Sequence, residues 1–221
     1  MVLSYYNLQD LEEWDIWDLY PQHRWTFNKL ELALKLGYLA GPCPKPVPVT
    51  QEYVVRPIYN FSGMGIGAHI KMLEKDTVYD SPPAYFWCER FVGDHVSVNY
   101  EWSSDRFKEV HTSLAETDFS NLSRFKKWSL VPNRKIPLPD WINSLYDVRY
   151  LNIEFIDNKP IEIHLRWGID FPENSVEIIP IWSTTDKALV QNLLADGYKY
   201  KSDYMDAEKN LSDPRLGFLY K

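Results

Sequence analysis

Asn152-Ile-Glu-Phe-Ile-Asp-Asn-Lys-Pro-Ile-Glu-Ile-His-Leu-Arg166 is the stretch that decides the fold. Two alternating runs, Arg149 to Ile156 and Pro160 to Arg166, flank Asp157-Asn158-Lys159, which has the turn chemistry of a β-hairpin. With a side-chain period of two, Asn152, Glu154 and Ile156 share a face of the first strand, and Glu162, His164 and Arg166 share a face of the second. If those faces coincide, two carboxylates, an amide, an imidazole and a guanidinium meet on one surface, and aliphatic side chains fill the other. Carboxylate oxygens suit a hard divalent ion and a guanidinium suits phosphate oxygens, so such a surface can hold Mg²⁺ with a polyphosphate. A half-exposed sheet crossed by ordinary salt bridges has the same pattern, and both readings stand on the sequence alone.

Upstream, Tyr53-Val-Val-Arg-Pro-Ile58, Asn60-Phe-Ser-Gly-Met-Gly-Ile-Gly67 and Ala68-His-Ile-Lys-Met72 read as strand, glycine-rich turn, strand. Gly63, Gly65 and Gly67 allow backbone N–H groups to approach phosphate, with Arg56 adding charge from the preceding strand; the same glycines also make an ordinary tight turn. No helical period follows them, which excludes a phosphate loop that opens a helix. Ala84 to Val92 and His95 to Trp102 are two further strands joined through Gly93-Asp94. Glu89 sits in the bulky run Phe86 to Val92, where a planar base can lie on apolar side chains and bond an open strand backbone. A simply exposed Glu89 fits equally well.

Phe27 to Leu39 predicts a helix with Leu30, Ala33, Leu34 and Leu36 on its apolar side, Thr26 as cap and Gly37 or Gly41 as stop. The alternate prolines between Gly41 and Val49 make an extended connector. The spacing of Phe107, Val110 and Leu114, repeated by Leu122, Phe125 and Trp128, predicts a helical middle, with another short helix over Asp140 to Tyr146. Val176 to Ile181 reads as a strand, and Ser183 to Asp186 as a cap for a helix through Leu193. Strands, then helices, then strands make an α+β protein with antiparallel sheets.

Composition narrows the function classes. The 221 residues include 9 Trp, 15 Tyr and 10 Phe, enough for a sizeable core and for a protein-binding surface besides. A net charge of −7 disfavours nonspecific nucleic-acid binding, so Arg124, Lys126, Lys127, Arg134 and Lys135 read as a solvated basic face. No apolar run approaches the ~20 residues that span a bilayer. With no leader pattern in the acidic, aromatic first 25 residues, a soluble cytoplasmic protein is expected. Cys43 and Cys88 are expected as free thiols, and no zinc-site spacing is present.

Taken in order, Tyr53 to Ile58 with Ser62 to Gly67, then Cys88-Glu-Arg-Phe-Val-Gly-Asp-His-Val-Ser-Val98, then Asn152 to Arg166, resemble the ATP-grasp superfamily. The resemblance implies two antiparallel-sheet lobes with helices enclosing a nucleotide cleft. It divides the chain into an arm, helix and connector (1–50), a nucleotide-binding lobe (51–102) and a metal-binding sheet lobe with a C-terminal extension (103–221). It implies ATP and Mg²⁺ as cofactors. Phosphates would lie on Arg56 and the hairpin of Gly63, Gly65, Gly67 and Lys71; the base would lie at Glu89, Arg90, Phe91 and Val92; the metal would be held by Glu154, Glu162 and His164. The implied activity is ATP-dependent ligation of a small carboxylate to an amine, a thiol or a peptide, with Arg149 or Arg166 steadying an acylphosphate; the alternative is an inactive binding or structural protein. Lys29 resembles a residue at the start of the family's central lobe, without an assigned nucleotide contact. Arg56 stands where the family has a lysine, and His164 where it has an asparagine. The residues before the connector are also too few for the family's usual amino-terminal lobe, which leaves acceptor recognition to the arm, to the region after Trp167 or to another chain.

Overall fold

The structure, a computed structural model, describes residues 11, 13–59, 65–117, 121–122, 124–168, 172, 174–202 and 214–221. The first described residues lie on what becomes the larger of two sheets. Helix α1 (Glu13–Leu19) and a 3-10 segment (Pro21–Phe27) place Leu11, Ile16, Tyr20 and Phe27 in its core. Burying a side chain such as Ile16 contributes about 1.5–3 kcal/mol, which makes this part of the arm integral to the fold.

Helix α2 (Lys29–Lys35) follows and is shorter than the sequence predicts. Asn28, not Thr26, caps it, accepting from the Glu31 N–H at 2.9 Å. Its inward face is Lys29, Leu32 and Ala33; Leu34 points to solvent. The chain then builds a four-stranded antiparallel sheet from β1 (Ala40–Pro42), β2 (Gln51–Pro57), β3 (His69–Leu73) and β4 (Tyr85–Glu89), in the order β1-β4-β2-β3. Tyr53, Val55, Leu73 and Trp87 form its core. Gly63 and its neighbours at 60–64 lie outside the described residues, so the tip of the expected glycine hairpin does too.

The larger sheet has eight antiparallel strands in the order β11-β12-β10-β7-β6-β5-β8-β9. These are β5 (His95–Ser103), β6 (Arg106–Thr117), β7 (Phe125–Val131), β8 (Tyr150–Ile156), β9 (Lys159–His164), β10 (Glu177–Trp182), β11 (Lys199–Ser202) and β12 (Arg215–Tyr220). The hairpin at 149–166 forms as its alternation predicts. Its turn is tight: Ile156 pairs with Lys159, and Asp157 and Asn158 have φ of 54° and 60°, the left-handed pair that closes a two-residue hairpin.

The expected helical middle is strand. β6 pairs with β5 on one side and β7 on the other, and Asp140–Leu145 is the only helical piece described there, a short 3-10 segment. The reason lies in the register. Asn99 pairs with His111 but Tyr100 pairs with Glu109, so Val110 is an extra residue that bulges out of β6. The bulge breaks the two-residue alternation and leaves Phe107, Val110 and Leu114 at spacings of three and four, which mimic a helix. At the far edge, Asp186 caps helix α3 (Lys187–Ala195), its side chain accepting from the Ala188 N–H.

Candidate functional site

The cleft between the sheets is walled by α2, β2 and β4 on one side and by β8 and β9 on the other. Lys29, Leu32 and Ala33 come from α2, Val54 and Arg56 from β2, and Cys88 and Glu89 from β4; Tyr38 and Phe91 flank them. Ile156, Pro160 and Ile161 close it from the larger sheet. The empty space between these walls, open solvent at the mouth included, is about 460 Å³.

Two cations are fixed in this wall. The Lys29 backbone N–H donates to Ile58 O at 2.9 Å, which ties the first turn of α2 to the end of β2. Its ammonium pairs with Glu162, and Lys29 is only 5% exposed. Arg56 lies over the Phe86 ring, 5.5 Å from its centroid, and donates from Nη2 to Ile161 O at 2.9 Å. Its Nε is buried without a hydrogen-bond partner among the described residues, a donor turned inward with nothing to satisfy it.

Beyond them, Tyr38 packs edge-on against Phe91 with centroids 4.8 Å apart, and the Lys159 ammonium lies 4.6 Å from the Phe91 ring centroid. Glu89 is tied to the chain before β1: its Oε1 accepts from the Leu39 N–H at 2.9 Å, and its own N–H donates to Leu39 O at 2.8 Å. Arg90 pairs with Glu52 and is not part of the cleft wall, and Val92 is exposed. Gly65 and Gly67 both hold positive φ, and Lys71, on β3, faces the Tyr79 ring of the following loop.

Glu154 and Glu162 are direct cross-strand partners, as the alternation predicts, yet their charges go to different groups. Glu154 Oε2 meets His95 Nε2 at 3.0 Å. Glu162 is held by Lys29: burial would push its carboxyl up, but the Lys29, His164 and Arg56 charges pull it down to about 2. His164 Nδ1 meets Glu13 Oε1 at 2.7 Å, and the same oxygen accepts from Arg166 Nε at 3.0 Å and Nη2 at 2.8 Å. Burial would also raise Glu13, but His164 and Arg166 hold it at about 2, while Glu13 and Glu162 raise the His164 imidazole against the opposite pull of burial.

The expected magnesium ligands are therefore already engaged by His95, Lys29 and Glu13, and no group of three or more His, Cys, Asp or Glu side chains among the described residues is placed to hold a metal ion. This donor set does not fit Mg²⁺ as it is arranged. Arg149 does not line the cleft either. It lies at the opposite end of β8 from Ile156, about 23 Å away along an extended strand. There it pairs with Glu101 at 3.5 Å and stacks on Tyr150.

Glu13, His95 and Tyr38 had no place in the sequence reading of the site, and Lys29 no contact. Lys29 left a signal, being a charge on the helical face shared with Leu32 and Ala33. Glu13 left none among its acidic neighbours. The expected basic face is largely paired: Lys127 with Glu177 at 3.0 Å and Arg134 with Asp94 at 2.7 Å, while Arg124 lies over Trp182. Much of the arm's aromatic surplus is internal, as where Trp25 meets Trp141 with Lys35 over both rings. No described helix is long and apolar enough to cross a membrane.

No protein-family model and no curated protein sequence matches the chain. Solved structures do. An L-amino acid ligase from Bacillus licheniformis superposes with a TM-score of 0.56 at 10% identity, covering 90% of this chain and 67% of that one. N5-carboxyaminoimidazole synthetase from Staphylococcus aureus, complexed with ADP, gives 0.55 at 10% identity over 96% of this chain and 74% of its own. Carboxyaminoimidazole ribonucleotide synthase from Aspergillus clavatus, complexed with ATP, gives 0.52 at 11% identity with the same coverage of 96% and 74%. Against an Archaeoglobus fulgidus structure the chain spans 64% of the other's length, less than two thirds, with a TM-score of 0.47. The fold is α+β with two antiparallel sheets and helices, and it is ATP-grasp-like.

Proposed function

We propose that this chain binds ATP in the cleft between its two sheets and works as an ATP-dependent ligase that activates a carboxylate for attack by an amine or a thiol. One observation carries the nucleotide part. The cleft between the sheets of an ATP-grasp-like fold presents two fixed cations, Lys29 and Arg56, and beside them the aromatic pair Tyr38 and Phe91. Arg56 lines the cleft, and a guanidinium suits phosphate oxygens. The apolar flanks suit a planar base, and Glu89 keeps its second carboxylate oxygen for an exocyclic amine.

In the proposed reaction an acceptor carboxylate oxygen bonds to the γ-phosphorus as the bond from that phosphorus to the β–γ bridging oxygen breaks, and ADP leaves. An amine or thiolate then bonds to the acyl carbon, the acyl C–O bond breaks, inorganic phosphate leaves, and an amine nucleophile gives up a proton. Lys29 and Arg56 would offset the charge that builds on the phosphate oxygens. Arg166, tied to Glu13, would have to release that carboxylate before steadying an acyl phosphate.

A second reading is favoured by one specific observation: Glu154 and Glu162 are already engaged inside the chain, Glu154 by a hydrogen bond with His95 and Glu162 by an ion pair with Lys29. A protein that holds ATP without turning it over needs no more than this. Calorimetric ATP titration, followed by ADP release across a panel of amino acids and small amines, separates the cases. Binding with acceptor-stimulated ADP release supports the ligase; binding without it across the panel supports the holding role. No heat and no competition at millimolar ATP would remove the nucleotide site altogether.

A further inference from the structure

We infer that this chain binds ATP without a divalent cation, the Lys29 ammonium taking the place of the metal ion beside Glu162. The inference rests on the ATP reading of the cleft and adds how the triphosphate charge is met there. Three observations carry it.

The first is the position of Lys29. It lines the cleft and at the same time pairs with Glu162, so its positive charge lies between the carboxylate and the cavity. An ammonium has three N–H donors. Glu162 Oε1 engages one, and no other side-chain partner of Lys29 occurs among the described residues, which leaves donors for phosphate oxygens. The second is the disposal of the remaining metal-type ligands. Glu154 is held by His95 and His164 by Glu13, so a divalent ion entering here would have to break these contacts and also sit beside a buried ammonium. Charges of one sign at such separations repel strongly where water is scarce. The third is Arg56, whose Nη2 is anchored on Ile161 O and whose Nε is unsatisfied. It is a second immobile cation in the same wall, and it adds to Lys29 the charge compensation that a metal would bring.

The test is ATP affinity with and without metal. ATP is titrated into the full chain by calorimetry, once in EDTA and once in excess MgCl₂, and tryptophan fluorescence serves as the second method. The two dissociation constants should agree within about threefold. ATP binding seen only with Mg²⁺ overturns the inference and leaves the ATP site standing. Binding under neither condition, by both methods, overturns the ATP site itself.

Lys29→Gln should then create a metal dependence that the wild-type chain lacks. It should lose at least about tenfold in EDTA and regain most of that with Mg²⁺, because Glu162 becomes free to take a metal. An equal loss in both media overturns the inference. Glu162→Gln covers the case in which Lys29→Gln does not fold, since it frees the ammonium and leaves no buried carboxylate unpaired. It should bind ATP more tightly in EDTA than the wild-type chain, and weaker binding in EDTA overturns the inference. Far-UV circular dichroism verifies that each variant is folded.

Discussion

Replacing Glu13 with Gln isolates the most heavily charged contact between the arm and the larger sheet. Glu13 is 5% exposed, and its Oε1 takes one imidazole and two guanidinium contacts. Its carboxyl is held at about 2 against an ordinary 4.5, and at about 1.4 kcal/mol per pK unit the drop corresponds to roughly 3 kcal/mol of stability. Removing one partner of a buried ion pair costs about 3–5 kcal/mol in comparable cases, so two independent routes meet near 3. For a chain of this size that is a fall in melting temperature of about 6–12 °C. The sign with pH is fixed by the depressed pKa. The Glu13 contribution is fully present above the unfolded value of 4.5 and is lost as pH falls toward 2, so the gap between wild-type and Glu13→Gln should close over that window. Urea unfolding followed by tryptophan fluorescence, from pH 7 down to the acid limit of the folded state, measures it. A gap below about 0.5 kcal/mol at pH 7, the usual scale of an indifferent substitution, would refute the reasoning, as would a gap that stays constant into acid.

Ile16→Ala should destabilise the chain by about 2–5 kcal/mol in the same unfolding assay, because Ile16 is buried under the larger sheet. A negligible effect would mean that α1 does not hold to that sheet in solution. Arg149→Ala should change stability by less than about 0.5 kcal/mol and leave ATP affinity unaltered, since the side chain is 60% exposed and lies away from the cleft. Burial pushes the Cys88 thiol up to about 11, so it should resist a thiol reagent at pH 8 in the folded chain and react once urea exposes it. Peptide mapping of the labelled cysteine provides the readout.

How much of this was legible in the sequence depended on whether the alternation ran unbroken. The hairpin at 149–166 and the strands at 53–58, 69–72 and 95–102 carry regular patterns or unambiguous turn residues, and each forms close to its expected bounds. The middle misled because one bulged residue, Val110, converted a period of two into apparent threes and fours. β1, β11 and β12 are set by pairing with distant strands, and no local propensity announces them: Ala40-Gly-Pro42 is a strand because it lies against Phe86 to Cys88. In the site, spacing put Glu154 opposite Glu162 correctly but carried no information about their partners. Glu13, Lys29 and His95 reach them from other segments, and an ion pair across 151 residues, such as Glu13 with His164, has no signature in a single chain.

Arg56 and His164, where the resemblance leads to a lysine and an asparagine being expected, acquire a common role once those partners are known. A lysine in place of Arg56 would carry the charge, but it lacks the planar guanidinium whose Cζ lies over the Phe86 ring while Nη2 donates to Ile161 O. An asparagine in place of His164 could accept or donate a hydrogen bond, but it could not bring a positive charge to Glu13, which His164 and Arg166 together neutralise. Both substitutions thus serve contacts to segments elsewhere in the chain. Those contacts fall on β9, the last strand of the eight-stranded sheet, whose outer edge would otherwise present open backbone groups. Arg56 takes one of its carbonyls, Lys29 covers Glu162, and Glu13 covers His164. The edge strand that would carry metal ligands is instead closed by the chain's own charges, so the proposed nucleotide binding would draw on the same side chains as edge protection. For that reason a loss of ATP binding in an Arg56 variant carries information only beside an unchanged unfolding midpoint, whereas the metal dependence expected to appear in Lys29→Gln distinguishes the two roles by itself.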